Sequence, residues 1–192
     1  MDIVEHFIPR GTGPILDVGC GDIDVGGHLY CNNRLRKNYE ILGIDINPGS
    51  RENILKASGL NIPFADRSIE YVVSFDVIEH IEDFSSVIKE ILRVTKRRAI
   101  IVVPSTSRPI VRRSINVIRR MLGGAGSKLG QILLQGHYYE FFPHEILYFK
   151  GKSFKTRFFK INFPLLGASL LHRTNLIYAG IYVFDRLNLL KK

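Results

Sequence analysis

Ile15-Leu16-Asp17-Val18-Gly19-Cys20-Gly21-Asp22 is the stretch whose reading decides the fold. A short apolar run that ends on glycines reads as a buried strand entering a tight turn. Glycines at 19 and 21 let the backbone bend sharply and approach a ligand at the start of the next helix. By itself the pattern is half of a dinucleotide-binding fingerprint, whose third glycine would fall at residue 24. That position holds Asp24, and Asp17 and Asp22 add two further carboxylates. Such a loop would repel a pyrophosphate and attract a sulfonium or an ammonium group. The chemistry therefore favours a cationic nucleoside ligand and opposes a nicotinamide oxidoreductase.

Working outward, residues 40–45 form a second apolar run, ended by Asn47-Pro48-Gly49. Residues 69–75 and 99–103 read as further buried strands, rich in β-branched side chains. Residues 27–37 are helix-compatible, and Val87, Ile88, Ile91, Leu92 and Val94 have helical spacing. Strands alternating with helices predict an α/β fold: a doubly wound, mostly parallel sheet with helices on both faces. Such sheets bind ligands beyond the C-terminal ends of their strands. Asp45 stands at such an end, 24 residues past Gly21, where a carboxylate can accept hydrogen bonds from both hydroxyls of a ribose. Ile46 beside it offers an apolar surface to an adenine face.

Five segments, taken in order, resemble the class I S-adenosylmethionine-dependent methyltransferases, of the broad type that includes the ubiquinone and menaquinone biosynthesis enzymes. They are Ile15 to Gly21; Gly43-Ile44-Asp45; Ile62-Pro63-Phe64-Ala65-Asp66 with the strand after it; Ser74-Phe75-Asp76-Val77-Ile78-Glu79-His80-Ile81; and Glu90-Ile91-Leu92-Arg93-Val94. The resemblance implies S-adenosyl-L-methionine as cofactor. It implies a cofactor site of Asp17, Gly19, Cys20, Gly21, Asp45, Ile46, Ser58, Asn61 and Asp76. The chain departs from the family pattern at Ile23, where a third small residue is usual. It departs again at Ser58-Gly59-Leu60-Asn61, where an acidic residue commonly meets the adenine amine, and at Lys96-Arg97-Arg98, which replaces Pro-Gly-Gly. Ser58 or Asn61 is the expected substitute for the missing acid. Methyl transfer from a sulfonium needs mainly an aligned nucleophile, and a base only when the acceptor must lose a proton. His80, His137 and Glu79 are the candidates for that role. Asp76-x-x-Glu79-His80 also resembles a divalent-metal spacing of some methyltransferases, but the same segment serves many relatives without a metal, so none is expected.

Charge divides the chain. Residues 1–100 hold 12 Lys and Arg against 15 Asp and Glu, whereas residues 101–192 hold 15 against three. An acidic first half suits the cationic cofactor, and a basic second half suits an anionic or amphipathic acceptor. We accordingly expect one domain over residues 1–192, with a cofactor half at 1–104 and a basic substrate-facing half at 105–192. The helix expected over residues 110–122, either a lid on the domain or a contact with an anionic membrane surface, and the aromatic-rich stretch after it suit a lipid-, quinone- or glycan-like small molecule. An RNA acceptor ranks below this, because no separate RNA-binding module is visible. A non-catalytic cofactor- or partner-binding relative is the alternative from another class. Two cysteines, one of them in the glycine turn, do not make a disulfide framework, and no signal sequence or membrane span is evident. A cytoplasmic protein is expected. Oligomeric state is left open.

Overall fold

The computed structural model describes residues 3–21, 38–48, 54–105, 141–161 and 178–187, together with Val117 and Met121. The elements are α1 (Ile3–Phe7), β1 (Ile15–Val18), β2 (Ile41–Asp45), β3 (Ile54–Lys56), β4 (Ile69–Phe75), a 3-10 turn (Ile78–His80), α2 (Phe84–Val94), β5 (Thr95–Ser105), α3 (Pro143–Leu147), a second 3-10 turn (Tyr148–Lys150), β6 (Phe154–Ile161) and β7 (Tyr178–Arg186). The segment at 27–37 lies outside the described residues, as does all of 110–122 apart from Val117 and Met121.

Seven strands make one sheet in the order β3-β2-β1-β4-β5-β7-β6. β1 pairs in parallel with β2 and β4, β3 with β2, and β5 with β4. β7 runs antiparallel to both β5 and β6. The mostly parallel α/β sheet expected from the sequence is thus what forms, with an antiparallel pair at one edge. Because β5 pairs with β7, the two charge halves of the chain share a single sheet. The chain leaves β1 toward β2 and β3 and returns to β4 on β1's other side. That reversal opens a crevice between the C-terminal ends of β1 and β4, the position where doubly wound sheets take ligands.

At the centre of the sheet, along β1 and β4, both faces are buried, which is why those strands read as continuous apolar runs. Along β5, Ala99, Ile101 and Val103 point into the core beneath α2, joined by Leu16, Val18, Val72 and Tyr182. Ile100 and Val102 point the other way, into a core with Val4, Phe7 and Ile8 of the α1 region. α2 starts where the Asp83 carboxylate accepts a hydrogen bond from the Ser86 amide, satisfying one of the free donors of the first turn. It buries Val87, Ile88, Ile91, Leu92 and Val94, each worth about 2 kcal/mol of transfer free energy.

Three local expectations change. Ile54–Lys56, which has no alternating pattern, is the third strand, so Ile69–Phe75 is the fourth. The strand expected over 99–103 runs from Thr95 to Ser105, because β7 supplies it with a second ladder beyond the end of β4. The tail, whose periodicity fits a helix or a strand, contains the strand Tyr178–Arg186. That strand is buried by its neighbours on both sides rather than marked by its own sequence.

Candidate active site

The glycine turn after β1 is built as its sequence requires. Gly19 and Gly21 have φ of 76° and 68°, in the left-handed region where a side chain is strained. Gly19 is needed on a second count: a Cβ there would lie 2.5 Å from a methyl of Val77, which follows β4. The turn therefore docks directly against the tip of β4. It is held to β2 as well, with the Gly19 amide donating to the Ile44 carbonyl at 2.8 Å.

Asp45 at the end of β2 ties this arrangement together. Its Oδ2 accepts the Gly21 amide at 2.9 Å, and its Oδ1 accepts the Asn47 amide at 2.8 Å. Each oxygen keeps acceptor capacity after one such bond, so the carboxylate can still take a diol. The Ala57 amide donates to the Asp45 carbonyl, bringing the segment after β3 alongside. There Ser58 and Asn61 close a short turn, with the Asn61 amide donating to the Ser58 carbonyl and the Leu60 amide to the Ser58 Oγ.

These pieces surround a cavity of about 550 Å³. Gly19, Gly21 and Asp45 line its floor, Ile46 and the Ser58 turn one side, and Asp76, Val77 and His80 the other. The volume is in the range of sites for nucleoside-sized ligands. Ile46 is 61% exposed at the rim, an apolar surface left for a flat ring. Among the described residues that line it there is no lysine or arginine, in keeping with a cationic occupant. A group bearing a ribose, an adenine and a positive centre matches this donor and acceptor set.

The expected site residues divide into three sets. Gly19, Gly21, Asp45, Ile46, Ser58, Asp76 and His80 come together on the cavity wall. Asp17, Cys20, Asn61 and Glu79 do not line it. Asp17 is 4% exposed and shares the α1-side face of β1 with Ile15; burial first, and the Asp45 charge second, push its carboxyl up to about 7. The Cys20 sulfur packs toward Gly43 and Ile54, beneath the turn; a Cβ on Gly43 would fall 2.6 Å from it. Asn61 is exposed outside the cavity, so within this turn Ser58 is the residue placed to meet a ligand. Glu79 is fully buried, whereas Asp76 and His80 are exposed. The 3-10 turn at Ile78–His80 rotates consecutive side chains apart, so Asp76, Glu79 and His80 do not converge as ligands. Among the described residues no group of three or more His, Cys, Asp or Glu side chains is placed to hold a metal. His137 lies outside the described residues.

Nine of the lining residues, among them Ala57, Leu60, Val77 and Glu82, were not expected site residues. Val77 could have been found only through the tertiary contact with Gly19. Asp76 also carries a signal that its sequence hides, a φ of 51°. A non-glycine residue in that region is held there by its surroundings, and such strain gathers at functional sites.

Comparison with known proteins agrees with this geometry. A methyltransferase domain family matches residues 16–103. A probable S-adenosylmethionine-dependent methyltransferase of Mycobacterium tuberculosis is 24% identical over 116 residues, covering 55% of this chain and 40% of the relative. Norajmaline N-methyltransferase of Rauvolfia serpentina is 32% identical over 108 residues, covering 47% of this chain and 35% of the relative. The chain thus spans well under half the length of these curated relatives. Among solved structures, the YcgJ protein of Bacillus subtilis superimposes with a TM-score of 0.64 at 15% identity, covering 95% of both chains, a likeness of fold.

Proposed function

Residues 16–103 being a methyltransferase domain of the class I, S-adenosylmethionine-dependent kind, we propose that this protein moves the methyl group of that cofactor to a small or amphipathic acceptor. The observation that carries the reading is Asp45, whose carboxylate braces the glycine turn through Gly21 and still faces an open cavity. Asp45 would accept the ribose hydroxyls, Ile46 would meet one face of the adenine, and the Ser58 turn would meet its amine edge. The bound cofactor supplies a methyl group on a sulfonium, already activated for in-line displacement. The chain's own work is then to exclude water, align the acceptor and, where needed, take its proton.

His80 is the residue we assign to that proton. It is exposed and lines the cavity together with Ile81 and Glu82, which supports this assignment. Glu79, just before it in sequence, is buried instead. Replacing His80 with Ala should lower kcat by about a hundredfold and leave cofactor affinity unchanged.

The acceptor reading rests on the second half of the chain. Lys150, Lys152, Lys155 and Lys160 are exposed on β6 and the turn before it, which favours an anionic or lipid-linked acceptor and peripheral contact with an anionic membrane from the cytoplasmic side. No helix among the described residues is long and apolar enough to cross a membrane. The test is calorimetry with S-adenosylmethionine and S-adenosylhomocysteine, followed by transfer of labelled methyl groups to lipid, glycan and RNA fractions. Micromolar binding with label in the lipid or glycan fraction is expected. Absence of binding would leave a partner-binding relative, and label in RNA would move the acceptor to nucleic acid.

A further inference from the structure

The cavity wall formed by Ser58, Gly59 and Leu60 has no strand to hold it in place. β3 ends at Lys56, and β4 begins only at Ile69. The Ala57 amide ties its start to the Asp45 carbonyl, and an arginine in the last turn of α2 gathers the rest. All five N–H donors of Arg93 are engaged. Nε donates to Glu90 Oε1 at 2.7 Å, and one terminal nitrogen donates to Glu90 Oε2 at 2.8 Å, a bidentate pair. The same nitrogen reaches the Ile62 carbonyl at 2.9 Å. The other donates to the Phe64 carbonyl at 2.9 Å and to the Asp66 carboxylate at 2.8 Å. Glu90 completes the grip by accepting the Ile62 amide at 2.9 Å. The Arg67 amide in turn donates to the Arg93 carbonyl.

Both polar groups of the Ile62 backbone are therefore held by α2, two residues beyond Leu60. On the same face of that helix, one turn earlier, Val87 packs against Gly59; a Cβ on Gly59 would lie 3.2 Å from a Val87 methyl and 3.4 Å from one of Val18. We propose that Glu90 and Arg93 act as a clamp that positions the Ser58–Leu60 wall of the cofactor cavity, so that they set cofactor affinity without touching the cofactor. This rests on the cofactor reading above. Lysine cannot replace the arginine, because a point charge with a flexible stem cannot span two carbonyls and two carboxylates in one plane. The pair stays charged in the folded chain: the hydrogen bond from Arg93 lowers the Glu90 carboxyl, and that with Glu90 raises the guanidinium.

The test compares Arg93→Lys with Arg186→Lys. Arg186 also donates to carbonyls at the end of α2, those of Leu92 and Thr95, but from the β7 side, away from the cavity. Binding of S-adenosylhomocysteine is measured by calorimetry well below each variant's Tm, with amide hydrogen exchange at Ser58–Asn61 read in the ligand-free chains. Arg93→Lys should weaken binding and raise the cofactor KM about tenfold, with kcat within about twofold of the parent. Its 58–61 amides should exchange faster, while Arg186→Lys leaves affinity and those amides unchanged. Equal affinity in a folded Arg93→Lys, or equal weakening in Arg186→Lys, overturns the proposal. If Arg93→Lys does not fold, Asp66→Ala, which removes one exposed tie, should still weaken binding about twofold, and unchanged affinity there overturns it. If the parent chain binds no cofactor, the functional reading has failed; faster exchange confined to Arg93→Lys would still support the clamp, and unchanged exchange would end it.

Discussion

The two ends of the sheet treat their polar groups in opposite ways. At the parallel end, β1, β2 and β4 stop together and leave Gly19, Gly21, Asp45 and Asp76 around an open cavity. Three of those four have positive φ. At the antiparallel end, β5, β7 and β6 close on themselves. Asp185 accepts from both Arg98 and Arg157, Arg186 lies over the Phe154 ring and bonds two carbonyls, and the hydroxyls of Ser105 and Tyr182 meet at 2.8 Å. At one end a carboxylate is left available to a ligand, and at the other Asp185, Arg98, Arg157 and Arg186 are engaged within the fold. A count of basic residues cannot separate the two: Arg157 and Arg186 belong to the basic half, yet both are structural.

Four substitutions would break or sharpen that contrast. The largest effect is expected from Asp45→Ala. Two hydrogen bonds from ribose hydroxyls to a carboxylate are worth about 4 kcal/mol together, so cofactor affinity should fall about a thousandfold by calorimetry. Next comes Asp17→Asn. The folded-state value of about 7 lies above the ordinary carboxyl value, so between about pH 4 and pH 7 the folded chain holds the proton more tightly than the unfolded one. Stability from this group is fully present below about pH 4, falls as pH rises, and is lost above about pH 7. Asp17→Asn should therefore match the parent near pH 4 and exceed it at pH 8 by on the order of 3 kcal/mol in denaturant unfolding. A difference that is the same at both pH values would show that the Asp17 carboxyl is not raised in the folded chain.

Gly19→Ala should cost about 2 kcal/mol in stability, through positive φ and the Val77 contact, and weaken cofactor binding because the turn must shift. The smallest change is Asp185→Asn, about 1 kcal/mol in stability, since the partly exposed pair is screened by water. It should leave cofactor affinity untouched, and a loss of affinity there would mean that the two ends are coupled.

Much of the site could be read directly. The glycine turn and Asp45 were legible because they depend on local backbone demands, a tight bend and a strand end, which short spacings encode. The parallel core was legible for the same reason, as runs buried on both faces. Cys20 was misleading: it sits in the binding motif, yet its sulfur fills the space left by Gly43 on the neighbouring strand. β7 was illegible because a strand flanked by β5 and β6 takes its stability from cross-strand partners, and β6, at the edge of the sheet, depends on β7 in turn. The Glu90–Arg93 clamp was visible as residues in a familiar helix, but not as a clamp, since its partners lie 27 to 31 residues away.

By itself the sequence determined that an α/β sheet would present a glycine bend beside an acidic strand tip, because periodicity and glycine act within a few residues of chain. Only the tertiary structure decided that Glu79 turns inward while His80 faces the cavity, and that α2 holds the cavity's unsupported wall. Those outcomes depend on which distant groups meet, and burial, not residue type, assigns each carboxylate and arginine to ligand or to core.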